Sequence, residues 1–369
     1  MRFPTYLKLG FALVLLPATA MAGTVGLANT NKKAEKRWTA ERYAAARPLP
    51  MQQVDSGVDP FPEVLTAGES TAESAPGSRF AAGRAPVAGV RADSSNPLYE
   101  ALDREMAALI AGEDLDSMAG RASGSGGGHF TSSRLVPESA DQFYPYSTVG
   151  KLFFTIPGEG DFYCSAAVIR NRIIATAAQC IHSGTPSPGF YDNFEFVPAY
   201  RDGSAPFDIW AWEYVAVSST WTSGKGKVPH ASDFGLIELE DLVFDGALET
   251  IGNVVGYLGY ATQRLRPNHV HMLAYSSSHD GGELLHQVTA KDHKTAKPSN
   301  VLYGSDMRGG SAGGPLIQDF GDDPGLVRWV GAISTFNSSS GVKLQGASIP
   351  DTRFTSLLNS VCAHRSGNC

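Results

Sequence analysis

The chain has 369 residues, enough for roughly two domains of ~150 residues or one large domain with extensions. Its hydrophobic content, 42%, is ordinary, but charged residues at 18% fall below the ~25% typical of soluble domains, while 40 Gly and 22 Pro favour turns and short strands. Lys and Arg total 30 against 37 Asp and Glu, a net charge of −7, and no basic run forms a stripe that could neutralise phosphates, which excludes nucleic acid as a partner class.

In chain order, Arg2 and Lys8 precede an apolar run from Leu9 to Leu16, then Pro17 and the small-residue pattern Ala20-Met21-Ala22. This reads as a secretory signal peptide over residues 1–22, too short to span a bilayer, and no later stretch is a membrane span. The expected location is secreted or periplasmic, an oxidising compartment in which cysteines pair. Residues 23–142 are poor in core-forming aromatic and β-branched types and rich in Ala, Gly, Ser and Pro, so a mostly disordered prosegment or linker is expected there. Within it, Asn96 and Pro97 followed by Leu98, Leu102, Met106, Leu109 and Ile110 predict a short helix near 97–111. The run GSGGG before His129 reads as a hinge.

The composition changes at Tyr144. YPYSTVGKLFFTI opens a series of β-type segments: AAVI, RIIATA, FEFVPAY, WAWEYVAV, FGLIEL, NVVGYLGY, HVHMLAY, LLHQVTA, GPLI and RWVGAIS, closed by a helical FTSLLNSVC. Many short strands with one helical tail predict an all-β domain over residues 143–369, a barrel or a sandwich.

Four ordered blocks carry chemistry. CSAAVIRNRIIATAAQC places Cys164 and Cys180 around a hairpin; SDFGLIEL contains Asp233; GGSAGGPLI contains Gly310, Ser311 and Ala312; GAIS ends at Ser334. These blocks resemble the trypsin-like serine peptidases, in which a Thr-Ala-Ala-His-Cys motif carries the base, a later Asp orients it, and a Gly-Asp-Ser-Gly-Gly-Pro loop carries the nucleophile. The resemblance implies two six-stranded antiparallel β-barrels with the site between them and a C-terminal helix. It assigns the triad Asp to Asp233, but Gln179 stands where the His belongs and Ala312 where the Ser belongs. It also implies an oxyanion cradle from the backbone amides of Gly310 and Ala312, and a cleft wall at Ser334. Ser311 replaces the Asp that pairs with a released N-terminus in many relatives, which points to the bacterial glutamyl-endopeptidase-like branch.

A hydroxyl is a poor nucleophile until an imidazole takes its proton and a carboxylate orients that imidazole. Gln179 cannot shuttle a proton near neutral pH and Ala312 has no nucleophilic atom, so the expectation is a pseudoprotease that binds a peptide or protein. Two alternatives stand beside it: an active endopeptidase with a non-standard base or nucleophile, His182 or Ser311, and a non-enzymatic surface or adhesive module. Asp306, six residues before Ala312, is either the acid of a specificity pocket or, preferably, a solvated loop carboxylate; Phe336 sits where an open pocket wants Gly. The paired His269 and His271 lack a carboxylate or thiolate cluster, so no metal is expected, and no cofactor. The family resemblance and the 16-residue interval imply a Cys164–Cys180 disulfide, and Cys362 and Cys369 are expected to close a small loop in the tail.

Overall fold

The computed structural model describes residues 23–30, 38–52, 72–79, 128–296, 299–337 and 343–369. The expected signal peptide and the helix near 97–111 lie outside them. Strands β5 (Val149–Ile156), β6 (Gly160–Val168), β7 (Ile173–Thr176), β8 (Asp192–Pro198), β9 (Trp210–Ser218) and β10 (Gly235–Leu239) follow four short N-terminal strands, β1 (Thr24–Ala28), β2 (Arg47–Pro48), β3 (Ser74–Ala75) and β4 (Phe130–Arg134). They pair in the order β9-β10-β7-β6-β5-β8, and β8 pairs back to β9, closing a first six-stranded barrel.

After a β11 (Leu242–Phe244) and β12 (Ala247–Glu249) hairpin and the short β13 (Gly259–Ala261), a second barrel forms. Its strands are β14 (His269–Ala274), β15 (His286–Ala296), β16 (Asn300–Gly304), β17 (Pro315–Gln318), β18 (Arg328–Asn337) and β19 (Leu344–Ser348). The order β14-β15-β16-β19-β18-β17 closes through the β17 to β14 ladder. Closure leaves no free sheet edge within either barrel.

Alternating inward residues fill each barrel: Leu152, Phe154, Phe196, Trp210 and Ile237 in the first, Val270, Met272, Val301, Leu316 and Val330 in the second. A third cluster joins them, with Phe153, Tyr163, Tyr275 and Trp329 meeting Phe354, Leu357, Leu358 and Val361 of the C-terminal helix. In that helix, Thr352–His364, those four residues share one face at helical spacing, and the Asp351 side chain caps its start by accepting from Arg353 N–H. His364 Nδ1 lies 2.7 Å from the buried Glu238 of β10, so a helix that follows the second barrel is tied to the first.

One expectation changes. NVVGYLGY is a short helix, Ile251–Val255, followed by the three residues of β13: the Thr250 side chain accepts from Asn253 N–H at its start, and Gly256, at φ +78°, ends it. The described stretches of the segment 23–142 carry strands that pair with the barrels. β1 adds antiparallel to β9, β2 runs parallel to β6, β3 pairs with β13, and β4 pairs with β15. Few aromatic residues sufficed, because these stretches lie on barrels already formed and bury single anchors, Phe130 and Leu135 among them. A chain starting at Asp141 should therefore melt on the order of 20 °C below the full chain, since Leu49, Met51, Phe130 and Leu135 are each worth about 2 kcal/mol and each kcal/mol about 3 °C at this size. Equal melting temperatures by calorimetry would show that these strands add nothing.

Candidate functional site

The site lies between the barrels and is assembled around one carboxylate. Asp233 sits just before β10 and is fully buried. Its Oδ1 accepts the backbone N–H of Gln179 at 3.0 Å; its Oδ2 accepts the Gln179 side-chain amide at 2.7 Å and the Ser334 hydroxyl at 2.5 Å. Gln179 lies in a single 3-10 turn, Ala178–Cys180, that leaves β7, and its amide nitrogen also donates to the Ser334 carbonyl at 2.7 Å. Burial pushes the Asp233 pKa up, against the opposing effect of the hydrogen bonds from Ser334 and Gln179. Gln179, Asp233 and Ser334, scattered through the sequence, thus converge.

The loop before β17 is fixed by glycines and by Ser165 of β6. Ser165 N–H donates to the Ala312 carbonyl at 2.9 Å, and its hydroxyl donates to the Gly310 carbonyl at 3.0 Å. Gly310 and Gly313 have φ of +83° and +84°. A Cβ on Gly310 would lie 2.2 Å from the Tyr163 ring, and one on Gly313 would lie 1.9 Å from the Thr176 hydroxyl. Only glycine fits either place. Ala312 is wholly buried against the first barrel.

The disulfide Cys164–Cys180 ties β6 to the Gln179 turn, and Cys362–Cys369 closes the tail, as the sequence implied. His182 and Ser311 are not brought together. His182 Nδ1 accepts from Gly184 N–H at 2.8 Å, and burial lowers its pKa. Ser311 donates to the Arg308 carbonyl at 2.6 Å and accepts from Gln345 at 3.0 Å. Among the described residues no hydrogen bond links the two. Gly309, Ser311 and Gly313 match the G-x-S-x-G pattern of an α/β-hydrolase nucleophile elbow, but that elbow opens a helix, and here the strand β17 follows the loop.

Asp306 is not a solvated loop carboxylate, which corrects the preferred expectation. It accepts from Ser132 of β4 at 2.8 Å and lies 3.1 Å from His279 Nε2. Burial acts to raise its pKa, but the hydrogen bonds from His279 and Ser132 outweigh it and the net shift is down. His286 joins through Ser132 at 2.7 Å, and burial with the neighbouring His279 holds its pKa at about 3. This cluster was invisible in the sequence because 279, 286 and 306 come from three separate segments. The donor atoms of His279, His286 and Asp306 lie within 4.8 Å of one another, but the two imidazoles stack at 3.7 Å and 3°. An imidazole binds an ion in its own plane, and two parallel planes share no point, so this geometry is a hydrogen-bonded stack and not a metal centre. His269 and His271 are set edge to face, with His271 stacked on Phe320. Phe336 is in β18 opposite Gln345, and its side chain lies outside the described residues.

Two cavities flank these groups. One of about 70 Å3 adjoins Gln179, with Leu49, Pro50, His182, Tyr191 and Trp221 among its walls. The other, about 640 Å3, lies away from Gln179 and Ala312, against Tyr43, Tyr200, Ile209 and Glu283.

Because the folded pKa of Asp233 exceeds its unfolded value, the native state holds an extra proton between the two. This contribution to stability is full below the ordinary carboxyl range and is lost as pH rises through the folded value. Asp233→Asn should flatten that part of the profile, measured by urea unfolding at stepped pH; an unchanged slope would mean Asp233 ionises as freely in the fold as out of it.

No protein-family model and no curated protein matches the chain. Solved structures do. The protease Anisep of Arthrobacter nicotinovorans is 23% identical with a TM-score of 0.51, covering 59% of this chain and 96% of its own. A thermostable serine protease, AL20, from an extremophilic microorganism is 25% identical with a TM-score of 0.51, covering 61% and 100%. A Glu endopeptidase solved with MPD is 16% identical with a TM-score of 0.50, covering 66% and 100%. Two closed barrels, the C-terminal helix and these likenesses together give the chain the chymotrypsin-type fold of the trypsin-like serine peptidases.

Proposed function

We propose that this protein is an exported pseudoprotease whose inter-barrel cleft binds an extended peptide or protein segment and does not cleave it. The observation that carries this reading is the Gln179 side-chain amide, which donates to Asp233 and to the Ser334 carbonyl from the place the resemblance gives to the base. A primary amide neither takes nor returns a proton near neutral pH. At the nucleophile's place, Ala312 offers only a methyl group. Loss of such a pair typically costs ~10⁶ in turnover and leaves at most ~10³ to 10⁴ over water from binding and oxyanion stabilisation.

The frame that would hold a peptide remains supported. Gly310 keeps the positive φ that turns its amide toward the cleft, and Ser165 pins the carbonyls on both sides of Ser311. Two disulfides suit an oxidising compartment, and no described helix is long and apolar enough to cross a membrane. The His182 and Ser311 alternative has no geometric support, since each is engaged elsewhere.

Full-length protein treated with a fluorophosphonate probe should remain unlabelled at every serine. Labelling of Ser311 that disappears in Ser311→Ala would overturn the proposal. Ala312→Ser alone should stay inert, because nucleophile and base act as a unit.

A further inference from the structure

The described part of the N-terminal segment does not merely decorate the first barrel. From the helix Ala40–Ala45 it runs as Arg47-Pro48 parallel to β6 and then enters the cleft itself. Leu49 N–H donates to the Tyr163 carbonyl at 2.9 Å, and the Leu49 carbonyl accepts the Gly310 amide at 3.1 Å. Leu49 is 8% exposed and packs in the same apolar cluster as Ala312. Two residues on, Met51 is buried in the second barrel's cluster, with its sulfur 3.1 Å from the Ser311 hydroxyl and 3.5 Å from the Gln345 amide. We infer that residues 47–51 are a built-in occupant of the cleft, a tethered pseudo-ligand whose Leu49 carbonyl covers the Gly310 amide and whose Met51 side chain fills the pocket beside Ser311. Any external ligand must displace it. This rests on the peptide-cleft reading and specifies both the regulation of that cleft and its ligand class.

Three features fit an occupant and not a chance contact. The segment is anchored upstream: Arg42 grips Asp161 through two bonds of 2.7 and 2.6 Å, Tyr43 donates to Glu195, and Trp38 donates to the Asn193 carbonyl at 2.8 Å. Pro48 and Pro50 flank Leu49, so the chain is held extended before it binds, and of residues 48–50 only Leu49 has an N–H to satisfy, which Tyr163 accepts. Finally, the cavity of about 70 Å3 beside Gln179 is walled in part by Leu49 and Pro50 of the segment itself.

The ligand class follows from what the cleft already accepts: an extended peptide that offers one carbonyl to Gly310 and, two residues later, an unbranched flexible apolar side chain. Methionine suits such a pocket because its thioether adapts to irregular walls. A tether holds its occupant at an effective concentration in the mM range, so a free peptide of equal intrinsic affinity competes poorly.

The test uses full-length protein and a fluorescent synthetic peptide of residues 45–52. Hydrogen exchange should find the Leu49 and Gly310 amides protected in the wild type and exposed together in Leu49→Asp/Met51→Asp. The peptide should bind that variant at least ~10-fold more tightly than the wild type. Should the double substitution unfold the domain, Arg42→Ala, which loosens the anchor without charging the core, should show a smaller gain in the same direction. Free exchange of both amides in the wild type, or equal peptide affinity for wild type and the released variants, would overturn the inference. Failure of the pseudoprotease reading looks different: a probe-labelled serine in the wild type with Leu49 and Gly310 still protected.

Discussion

A carboxylate taken out of water must be surrounded by donors, and that requirement organises the middle of this molecule. Asp233 is fully buried, and it gathers the Gln179 backbone and side-chain amides and the Ser334 hydroxyl. Those donors come from the turn after β7 and from β18, one in each barrel. The Asp233 amide in turn donates to Ser348 of β19, whose hydroxyl donates to the His230 carbonyl. The barrels are therefore joined by polar bonds at the candidate site between them, and the relative position of Gln179 and Ser334 follows from one side chain.

On the pseudoprotease reading proposed above, the same network is how a proteolytic frame would persist without a base. An imidazole N–H and a primary amide N–H are equivalent to Asp233 as donors, so Gln179 satisfies the buried carboxylate while removing proton transfer. Structural demand and catalytic demand separate at this position. The glycine loop tells a similar story: Gly310 and Gly313 are constrained by Tyr163 and Thr176 whether or not residue 312 carries a hydroxyl. In this chain the amide that such a loop turns outward meets Leu49 of the chain's own N-terminal segment.

Much of this was legible in the sequence. Cys164 with Cys180, Asp233, the Gly310 loop and Ser334 stand in order along the chain, and through their resemblance to the trypsin-like serine peptidases they implied two barrels and the Cys164–Cys180 disulfide. β16 and β19 left weaker traces, since LQGAS carries Gly and polar residues and its strand character comes from pairing on both sides with β16 and β18. The stack of His279 and His286 over Asp306 left none, because it depends on how the loop before β15, its first residue, the loop after β16 and Ser132 of β4 fold together. The strands within the described part of the N-terminal segment left little trace for a related reason. Composition measures whether a stretch can form its own core, and Leu49, Met51 and Phe130 instead insert singly into cores made by others.

The central claim is that Gln179 holds Asp233 with a fixed amide in place of a titrating base. The NMR signal of the Gln179 side-chain amide in full-length, selectively 15N-labelled protein reports on this directly. Both side-chain protons are predicted to be shifted away from the positions of a free glutamine amide, to exchange slowly with water, and to move in Ser334→Ala. Signals at free-glutamine positions that exchange as fast as an exposed amide would mean that the amide is not bound to Asp233, and would contradict the account.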